Sequence, residues 1–302
     1  MSDLVVDRAA RASASLLLPS FVARLERLEI NVRRLLAGER RGDVPMNRRG
    51  QGVLFRGHRN YVVGDDPRFI DWNALLRLGE LVVKEFDAEE SARLTVFVDV
   101  SASMTTGDGA KFERALQLAA ALGFVALARH VPVHVRPLPG PGGEASFDGR
   151  ARVGALLGGL AALKPAPRTG FLRAFQAAAP PGRIPGVALV ISDFYDVDEY
   201  ATGVSYLRRR GYQVEALHLF SDDELRCDVD GPVLLRDLES GKTVRATLRP
   251  ELREAYRAVV ERHFADVQLR CRSAGVGYHR LNVQDSLESS VLTALRARGV
   301  VR

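Results

Sequence analysis

Residues 94–103 read LTVFVDVSAS, a continuous apolar run that passes directly into oxygen-bearing side chains. An unbroken apolar run, rather than an alternating one, is typical of a parallel strand that helices cover on both faces. A second run of this kind, GVALVIS at residues 186–192, is followed directly by Asp193. The sequence therefore predicts two central strands that both carry polar groups at their carboxyl ends.

Strand-like and helix-like segments alternate outward from these runs to the C-terminus. Residues 231–248 predict a hairpin that turns at Ser240-Gly241. Strands that alternate with helices imply a mostly parallel sheet with helices on both faces, so residues 93–302 are predicted to form one doubly wound α/β domain. Its other strands are predicted at 131–137, 212–220 and 276–283, and its helices at 110–130, 150–163, 170–178, 196–210, 251–273 and 284–298.

Residues 1–92 follow a different pattern and are predicted to form a smaller N-terminal helix-plus-strand region. Apolar residues recur at helical spacing over residues 19–37, with arginines on the other face. Short strand-like runs follow at 53–55, 61–63 and 81–86. The region is therefore expected to be basic and only partly regular.

The motif GDDPRFIDW at residues 64–72 begins with the chemistry of a turn. Its aspartates, Asp65, Asp66 and Asp71, can bind a metal ion or act as acid and base. We favour a structural turn in which Trp72 is anchored in a core and the aspartates pair with nearby arginines.

The composition is that of an ordinary soluble protein. Hydrophobic residues make up 46% of the chain and charged residues 26%, which excludes wholesale disorder. Two cysteines, Cys227 and Cys271, are too few for a disulfide framework and indicate the cytoplasm. The longest apolar stretch, residues 115–128, is too short to cross a bilayer, so we expect no membrane span.

The net charge of +6 arises in residues 1–60, which hold 12 arginines and 6 acidic residues. Such an excess raises the hypothesis of a contact with nucleic acid or with an anionic membrane. Only four of the 43 basic residues are lysines, which together with abundant alanine indicates genome-wide composition rather than selection for phosphate contacts. We therefore favour an arginine-rich face that is solvated or docked on a partner, and nucleic acid is not the expected partner.

The polar residues after the first central strand, Asp99, Ser101 and Ser103, stand at alternate positions. In open parallel sheets ligands bind at the carboxyl ends of the strands, where three such side chains can converge. Oxygen ligands from aspartate and serine suit a hard cation, Mg²⁺ or Mn²⁺, rather than zinc. Asp193 at the equivalent strand end and Thr169 at the start of a helix can complete the site. The same residues also suit a turn that caps the next helix, and their spacing does not decide between the two.

Other sites built on this segment are excluded by particular residues. An EF-hand loop that began at Asp99 would need glycine and glutamate where Met104 and Ala110 stand. A nucleophile elbow needs glycines two residues on either side of its serine, but Ser101 has Asp99 and Ser103 there. Since the sequence shows no nucleophile paired with a base, a noncatalytic function is favoured.

Taken together, the motifs resemble a known family. The stretch from Arg59-Asn60-Tyr61 through GDDPRFIDWNALLRLGELVVKEF, followed by the apolar strand and DVSASM, is similar to the domain of unknown function fifty-eight family of bacteria and archaea. The resemblance covers residues 35–200 and implies a von Willebrand factor A-like domain with a metal-ion-dependent adhesion site. In this chain the implied site consists of Asp99, Ser101, Ser103, Thr169 and Asp193, with the hydroxyl groups on the metal and the aspartates acting through water.

The resemblance also implies a partner. Members of the family resemble partners of MoxR-type AAA+ ATPases, with a chaperone-like role in the maturation or assembly of other proteins. We therefore expect a noncatalytic, metal-dependent interaction module that binds such an ATPase, or a client protein whose acidic residue ligates the metal. The alternative is a Mg²⁺-dependent hydrolase of phosphate esters or nucleic acid, with Asp193 or Asp71 as the base.

Overall fold

The computed structural model describes residues 15–39, 53–62, 66–67, 70–88, 93–106, 109–138, 145–166, 171–179, 185–225, 231–237, 242–249 and 252–296. The chain divides into two compact units, one of residues 42–91 and the other of residues 1–41 together with 92–302.

The helices and strands are numbered in chain order. They are α1 (Pro19–Glu39), β1 (Val53–Asn60), α2 (Trp72–Leu78), β2 (Val82–Ala88), β3 (Leu94–Asp99), α3 (Ala110–Leu127), β4 (Val133–Leu138), β5 (Ala145–Phe147), α4 (Val153–Ala161), α5 (Phe171–Ala178), β6 (Val187–Ser192), α6 (Val197–Arg209), β7 (Gln213–Phe220), α7 (Asp222–Leu225), β8 (Gly231–Arg236), β9 (Thr243–Leu248), α8 (Leu252–Ser273), β10 (Gly277–Asn282) and α9 (Leu287–Arg296).

The larger unit is built on a six-stranded sheet with the order β10-β7-β6-β3-β4-β5. All its neighbouring strands are parallel except β5, which runs antiparallel to β4. The predicted α/β class with a mostly parallel sheet is therefore confirmed. The short edge strand β5 was not predicted, because three residues are too few to show a period.

Both faces of the sheet are covered, as the unbroken apolar runs predict. Val96 and Val98 of β3 enter a hydrophobic cluster with α1, α3, α4 and α9, while Phe97 between them enters a second cluster with α5, α6 and α8. Because successive side chains of a strand point to opposite faces, every residue of β3 must be apolar or otherwise satisfied, and all six are buried.

Helix α1 packs within the larger unit, although residues 1–92 were predicted to form a separate N-terminal region. Its residues Leu25 and Leu28 are buried in the cluster that includes α3 and α9. The Arg24 guanidinium donates to both carboxylate oxygens of Glu288 in α9, at 2.6 and 2.8 Å. These contacts hold α1 against helices α3 and α9 of the larger unit, whereas residues 42–91 form the other unit.

The smaller unit contains the antiparallel pair β1–β2 and the helix α2. Strand β1 reaches Asn60, beyond the run predicted at residues 53–55. Asp71 caps α2 by accepting from the backbone N–H groups of Asn73 and Ala74, and His58 Nε2 lies 2.8 Å from its other carboxylate oxygen. The predicted anchoring of Trp72 in a core is wrong, since the residue is 58% exposed.

Strands β8 and β9 pair antiparallel, as the predicted hairpin requires, while its turn at residues 240–241 lies outside the described residues. Within the described part of the chain, no helix has both the length and the apolar character needed to span a bilayer.

Helix α6 packs so closely on α5 that one position requires glycine. A Cβ atom on Gly203 would lie 2.2 Å from Cδ2 of Phe175, whose buried ring cannot move aside because it packs on Phe97. We expect Gly203→Ala to lower the free energy of unfolding by about 1–3 kcal/mol, the usual cost of overpacking. Urea unfolding measures this change in the free energy of unfolding, and Gly158→Ala in α4 is the control.

The control meets open space, since no atom lies within 4 Å of a Cβ on Gly158. We expect it to raise stability by about 0.5–1 kcal/mol through helix propensity alone. Equal effects of the two substitutions would contradict the close packing of α5 on α6.

Candidate metal centre

The strand order creates a crevice between the carboxyl ends of β3 and β6. Within the sheet, β4 and β5 lie on one side of β3, whereas β6, β7 and β10 lie on the other side of β3. At such a reversal of strand order the connections leave in opposite directions, and ligands bind in the space between them. Asp99 is the last residue of β3, and Asp193 follows the last residue of β6.

Four of the five predicted ligands meet at this crevice. The backbone N–H of Ser101 donates to Asp99 Oδ1 at 2.8 Å, and the hydroxyl oxygens of Ser101 and Ser103 are 2.9 Å apart. Ser103 Oγ donates to Asp193 Oδ1 at 3.3 Å. All four side chains are buried, and the 3₁₀ turn over residues 102–105 brings Ser103 back towards the strand end.

The fifth predicted ligand, Thr169, lies outside the described residues. The segment before it runs beside the site, because the backbone N–H of Ala166 donates to the carbonyl of Val100 at 2.7 Å. Ala166 also forms a parallel bridge with Ser101.

Asp99 is held by hydroxyl groups as well as by the backbone. Ser192 Oγ donates to Asp99 Oδ2 at 2.6 Å, and the Tyr200 hydroxyl donates to the same oxygen. Burial, and next the nearby charge of Asp193, raise the pKa of Asp99 to about 6. The carboxylate is therefore fixed in position but lacks a cation of its own among the contacts described.

A buried ammonium group completes the charge pattern. Lys111, in the first turn of α3, donates from Nζ to Asp193 Oδ2 at 2.9 Å and also to Glu224 Oε1, and only 1% of its side chain is exposed. Burial lowers the pKa of Lys111, but the carboxylates of Asp193 and Glu224 outweigh burial, so the net shift is upward. Lys111 is therefore charged at neutral pH.

Glu224 lies at the outer side of this ion pair. Its Oε1 atom also accepts from Tyr195 at 3.0 Å and from Thr106 at 3.2 Å. Sequence reasoning missed both Lys111 and Glu224. The one signal for Lys111 was a charged residue at the start of the helix predicted at 110–130, one turn before the longest apolar stretch.

The donor set fits a small, hard cation. Two oxygen atoms that bind one octahedral Mg²⁺ ion side by side lie about 3 Å apart, since each Mg–O distance is about 2.1 Å. The separations of 2.9 Å between the two serine hydroxyls and 3.3 Å between Ser103 and Asp193 are of this size. Among the described residues, no cluster of three or more His, Cys, Asp or Glu side chains suited to a metal is found, so a cation here would depend on the hydroxyl groups.

The charges of the buried cluster also favour a divalent cation. With all three carboxylates of Asp99, Asp193 and Glu224 ionised, the single ammonium of Lys111 leaves two negative charges in a mostly buried cluster. Uncompensated buried charge is unfavourable, and one divalent cation would balance it.

Comparison with known proteins gives a family match and distant relatives. The family described as "Protein of unknown function DUF58" matches residues 57–266. Uncharacterized proteins of Mycobacterium tuberculosis and Mycobacterium bovis are each 28% identical over 264 residues, which are 85% of this chain and 83% of theirs.

Two solved structures are similar at 16% identity. The conserved hypothetical protein BatB from Bacteroides thetaiotaomicron has a TM-score of 0.45, over 70% of this chain and 98% of that one. An aerotolerance-related membrane protein from Bacteroides fragilis has a TM-score of 0.42, over 69% and 100% of the two chains.

Proposed function

The chain belongs to the DUF58 family of proteins of unknown function, and from this premise we propose that it is a noncatalytic, metal-dependent protein-interaction module of the von Willebrand factor A type. One observation carries the proposal. The Oγ atom of Ser103 lies 2.9 Å from Ser101 Oγ and 3.3 Å from Asp193 Oδ1, separations that suit neighbouring ligands of one small cation, at the crevice where the strand order reverses.

The residues have separate roles in this proposal. Ser101 and Ser103 would bind Mg²⁺ or Mn²⁺ through their hydroxyl oxygens, with Thr169 as the further ligand that the family resemblance implies. Asp99 would act through water, because Ser101, Ser192 and Tyr200 already donate to its two oxygens. When bound, the cation would supply an electrophilic position that a carboxylate of a partner protein can occupy.

The hydrolase alternative is less well supported because its bases are engaged. Asp193 accepts from Lys111 and Ser103, which hold both of its oxygens. Asp71, in the smaller unit, caps helix α2 and contacts His58. A general base must be within reach of the proton that it removes, but one oxygen of Asp193 is paired with Lys111 and the other would face the proposed cation, while Asp71 caps a helix.

The partner remains the one that the family resemblance implies. We propose a MoxR-type AAA+ ATPase, or a client protein of that ATPase, with an acidic residue that completes the coordination of the metal. Binding would then require both the cation and the partner's carboxylate.

Direct binding of Mn²⁺ tests the metal centre. We expect wild-type protein to enhance the relaxation of water protons by Mn²⁺, and Mg²⁺ to reverse the effect by competition. Ser101→Ala/Ser103→Ala should lose this binding because it removes two neighbouring ligands. Asp198→Ala is the matched control, because Asp198 is an exposed carboxylate paired with Arg270. Equal Mn²⁺ binding by the double variant would exclude this site.

Affinity capture from the source lysate tests the partner. We expect mass spectrometry to identify an AAA+ ATPase with wild-type bait in Mg²⁺ and to find none in chelator or with Asp99→Ala. Capture of the same ATPase by Asp99→Ala in chelator would refute metal-dependent binding. Magnesium-stimulated hydrolysis of phosphate esters by the purified protein, lost in Asp99→Ala, would favour the hydrolase instead.

A further inference from the structure

The β8–β9 hairpin stands outside the hydrophobic clusters of the larger unit. It forms a two-stranded sheet of its own, and none of the twelve residues of its two strands is buried. None of these residues enters either of the clusters that cover the six-stranded sheet. A two-stranded hairpin without a packing partner is only marginally stable in water, so an exposed hairpin that carries apolar side chains indicates a surface that binds something else.

Exposed apolar side chains lie on both faces of this hairpin. Leu235 and Val244 stand directly opposite each other on one face and are 49% and 63% exposed. Leu234 lies on the other face, because successive residues of a strand point to opposite faces, and it is 64% exposed. The flat surface of a protein partner would cover one of these faces. The boundary between lipid headgroups and acyl chains would surround an inserted hairpin on both faces.

Basic side chains accompany the apolar ones. Residues 231–237, 242–249 and 252–259 together hold six basic and two acidic residues, and all eight are exposed. This local excess is separate from the basic region at residues 1–60. The basic residues of the hairpin are Arg236, Lys242, Arg245 and Arg249. Each arginine or lysine near an anionic lipid surface strengthens binding about fivefold, which corresponds to about 1 kcal/mol.

The first two turns of α8 carry a second exposed apolar stripe. Leu252, Tyr256 and Val259 are spaced to lie on one side of the helix, and each is at least 40% exposed. Tyrosine is enriched where membrane meets water, because its ring is apolar and its hydroxyl group is polar. The Tyr256 hydroxyl donates to the backbone carbonyl of Glu224 at 3.0 Å, which fixes this stripe beside the candidate metal centre.

Two other occupants fit the hairpin less well. In a symmetric contact with a second copy of the chain, the basic residues of both hairpins would be brought together, and like charges repel each other. A nucleic acid would satisfy the basic residues but would leave Leu234, Leu235 and Val244 in water, because phosphate groups do not cover aliphatic side chains. An anionic lipid surface suits the apolar and the basic side chains together.

We propose that the β8–β9 hairpin binds the surface of an anionic membrane, with Leu234, Leu235 and Val244 at the level of the headgroups and the start of the acyl chains, and with Arg236 and Arg245 on lipid phosphates. This binding goes beyond the proposed function and does not depend on the metal ion. A protein held in this way would meet partners that are themselves at the membrane.

Sedimentation of the full chain with lipid vesicles in chelator tests the binding. We expect vesicles of phosphatidylcholine mixed with phosphatidylserine to bind the protein at least about tenfold more tightly than vesicles of phosphatidylcholine alone. A rise in ionic strength from about 0.1 M to about 1 M should release most of the protein, because it shortens the screening length to about 3 Å. Ser101→Ala/Ser103→Ala should bind these vesicles as wild type does.

Substitutions of arginine test whether the hairpin is the contact. Arg236→Gln/Arg245→Gln should weaken binding about 25-fold, since each residue contributes about fivefold. Arg173→Gln/Arg209→Gln is the matched control, because these arginines of α5 and α6 are also exposed. It should weaken binding much less. An unchanged thermal midpoint shows that each variant folds.

Tryptophan fluorescence tests insertion of both faces. In a Trp72→Phe background, which removes the natural tryptophan, Leu234→Trp and Leu235→Trp should each show emission at shorter wavelength when anionic vesicles are added. Leu234→Gln/Leu235→Gln should weaken binding about tenfold, because burial of apolar side chains contributes to affinity. A wavelength shift at one position alone would show that a single face is covered and would overturn insertion.

Four further results would overturn the proposal. They are equal binding to neutral and anionic vesicles, vesicle binding that Arg236→Gln/Arg245→Gln does not change, duplex DNA binding without vesicle binding, and dimers in solution that Leu234→Gln/Leu235→Gln dissociates. If Mn²⁺ binds at the metal centre while any of these is found, the proposed function stands and the membrane contact fails.

Discussion

Replacement of Lys111 by methionine is expected to lower the free energy of unfolding by about 3–5 kcal/mol in chelator, the cost of breaking a buried ion pair on one side. Lys111 donates to Asp193 and to Glu224, and its side chain is almost fully buried. Methionine matches its length and fills the space, so the loss would come from the two carboxylates that remain without a cation. Urea unfolding at pH 7.5 measures this loss.

The matched control is Lys164→Met, because Lys164 is exposed. Substitutions at such surface positions usually change stability by less than about 0.5 kcal/mol. Mg²⁺ should stabilise Lys111→Met more than it stabilises wild type, since a divalent cation at Asp193 would restore part of the missing positive charge. A loss below about 1 kcal/mol would mean that the carboxylates reach solvent more easily than the structure shows.

The central strands and the site beside them were predictable because they depend on a pattern repeated along the chain. Burial on both faces requires continuous apolar runs, and such runs stand at residues 94–98 and 187–191. Parallel strands end at the same edge of a sheet, so Asp99, Ser101 and Asp193 could be expected near one another although they are far apart in sequence. The hydrogen bond from Ser103 to Asp193 agrees with this expectation.

Contacts that depend on single side chains could not be predicted in this way. Glu224 lies on a four-residue helix, which is too short to show a hydrophobic period. It meets Lys111 only because the C-terminal end of β7 and the N-terminal end of α3 lie at the same edge of the sheet. The sequence placed helix α1 in a region separate from the sheet. Its amphipathic pattern shows that one face of the helix is buried, but it does not show which element covers that face. The bidentate pair of Arg24 with Glu288 decides that question in the structure.

The position of Trp72 was predicted wrongly because the prediction relied on a residue-type preference. Tryptophan side chains are largely buried on average, so a core position was predicted for Trp72. In the structure it stands at the first position of α2 with more than half of its side chain exposed. A strong residue-type preference does not show where one particular short helix directs its side chains.

Asp99→Asn is expected to raise the free energy of unfolding by about 1–3 kcal/mol at pH 8 in chelator while abolishing the response to Mg²⁺. The carboxylate is fully buried near Asp193, and burial raises its pKa to about 6. An unfolded aspartate titrates near a pKa of about 3.9, so the folded state binds the proton more tightly. The stability that this proton contributes is present below the unfolded pKa and is lost as the pH rises through about 6.

Asparagine does not titrate, and its amide carbonyl can still accept from the backbone of Ser101. The hydroxyls of Ser192 and Tyr200 must turn to accept from the new amide, which reduces the gain below the full value of the removed charge. We therefore expect the difference between variant and wild type to shrink as the pH is lowered from 8 to 4 in urea unfolding. Asp198→Asn, an exposed carboxylate, is the control and should show neither effect. Two results would contradict this prediction: a variant less stable than wild type at pH 8, or a stability difference between variant and wild type that does not change with pH. Either result would mean that the Asp99 carboxylate is already compensated without a metal ion. The electrostatic reason for a cation at this site would then be removed.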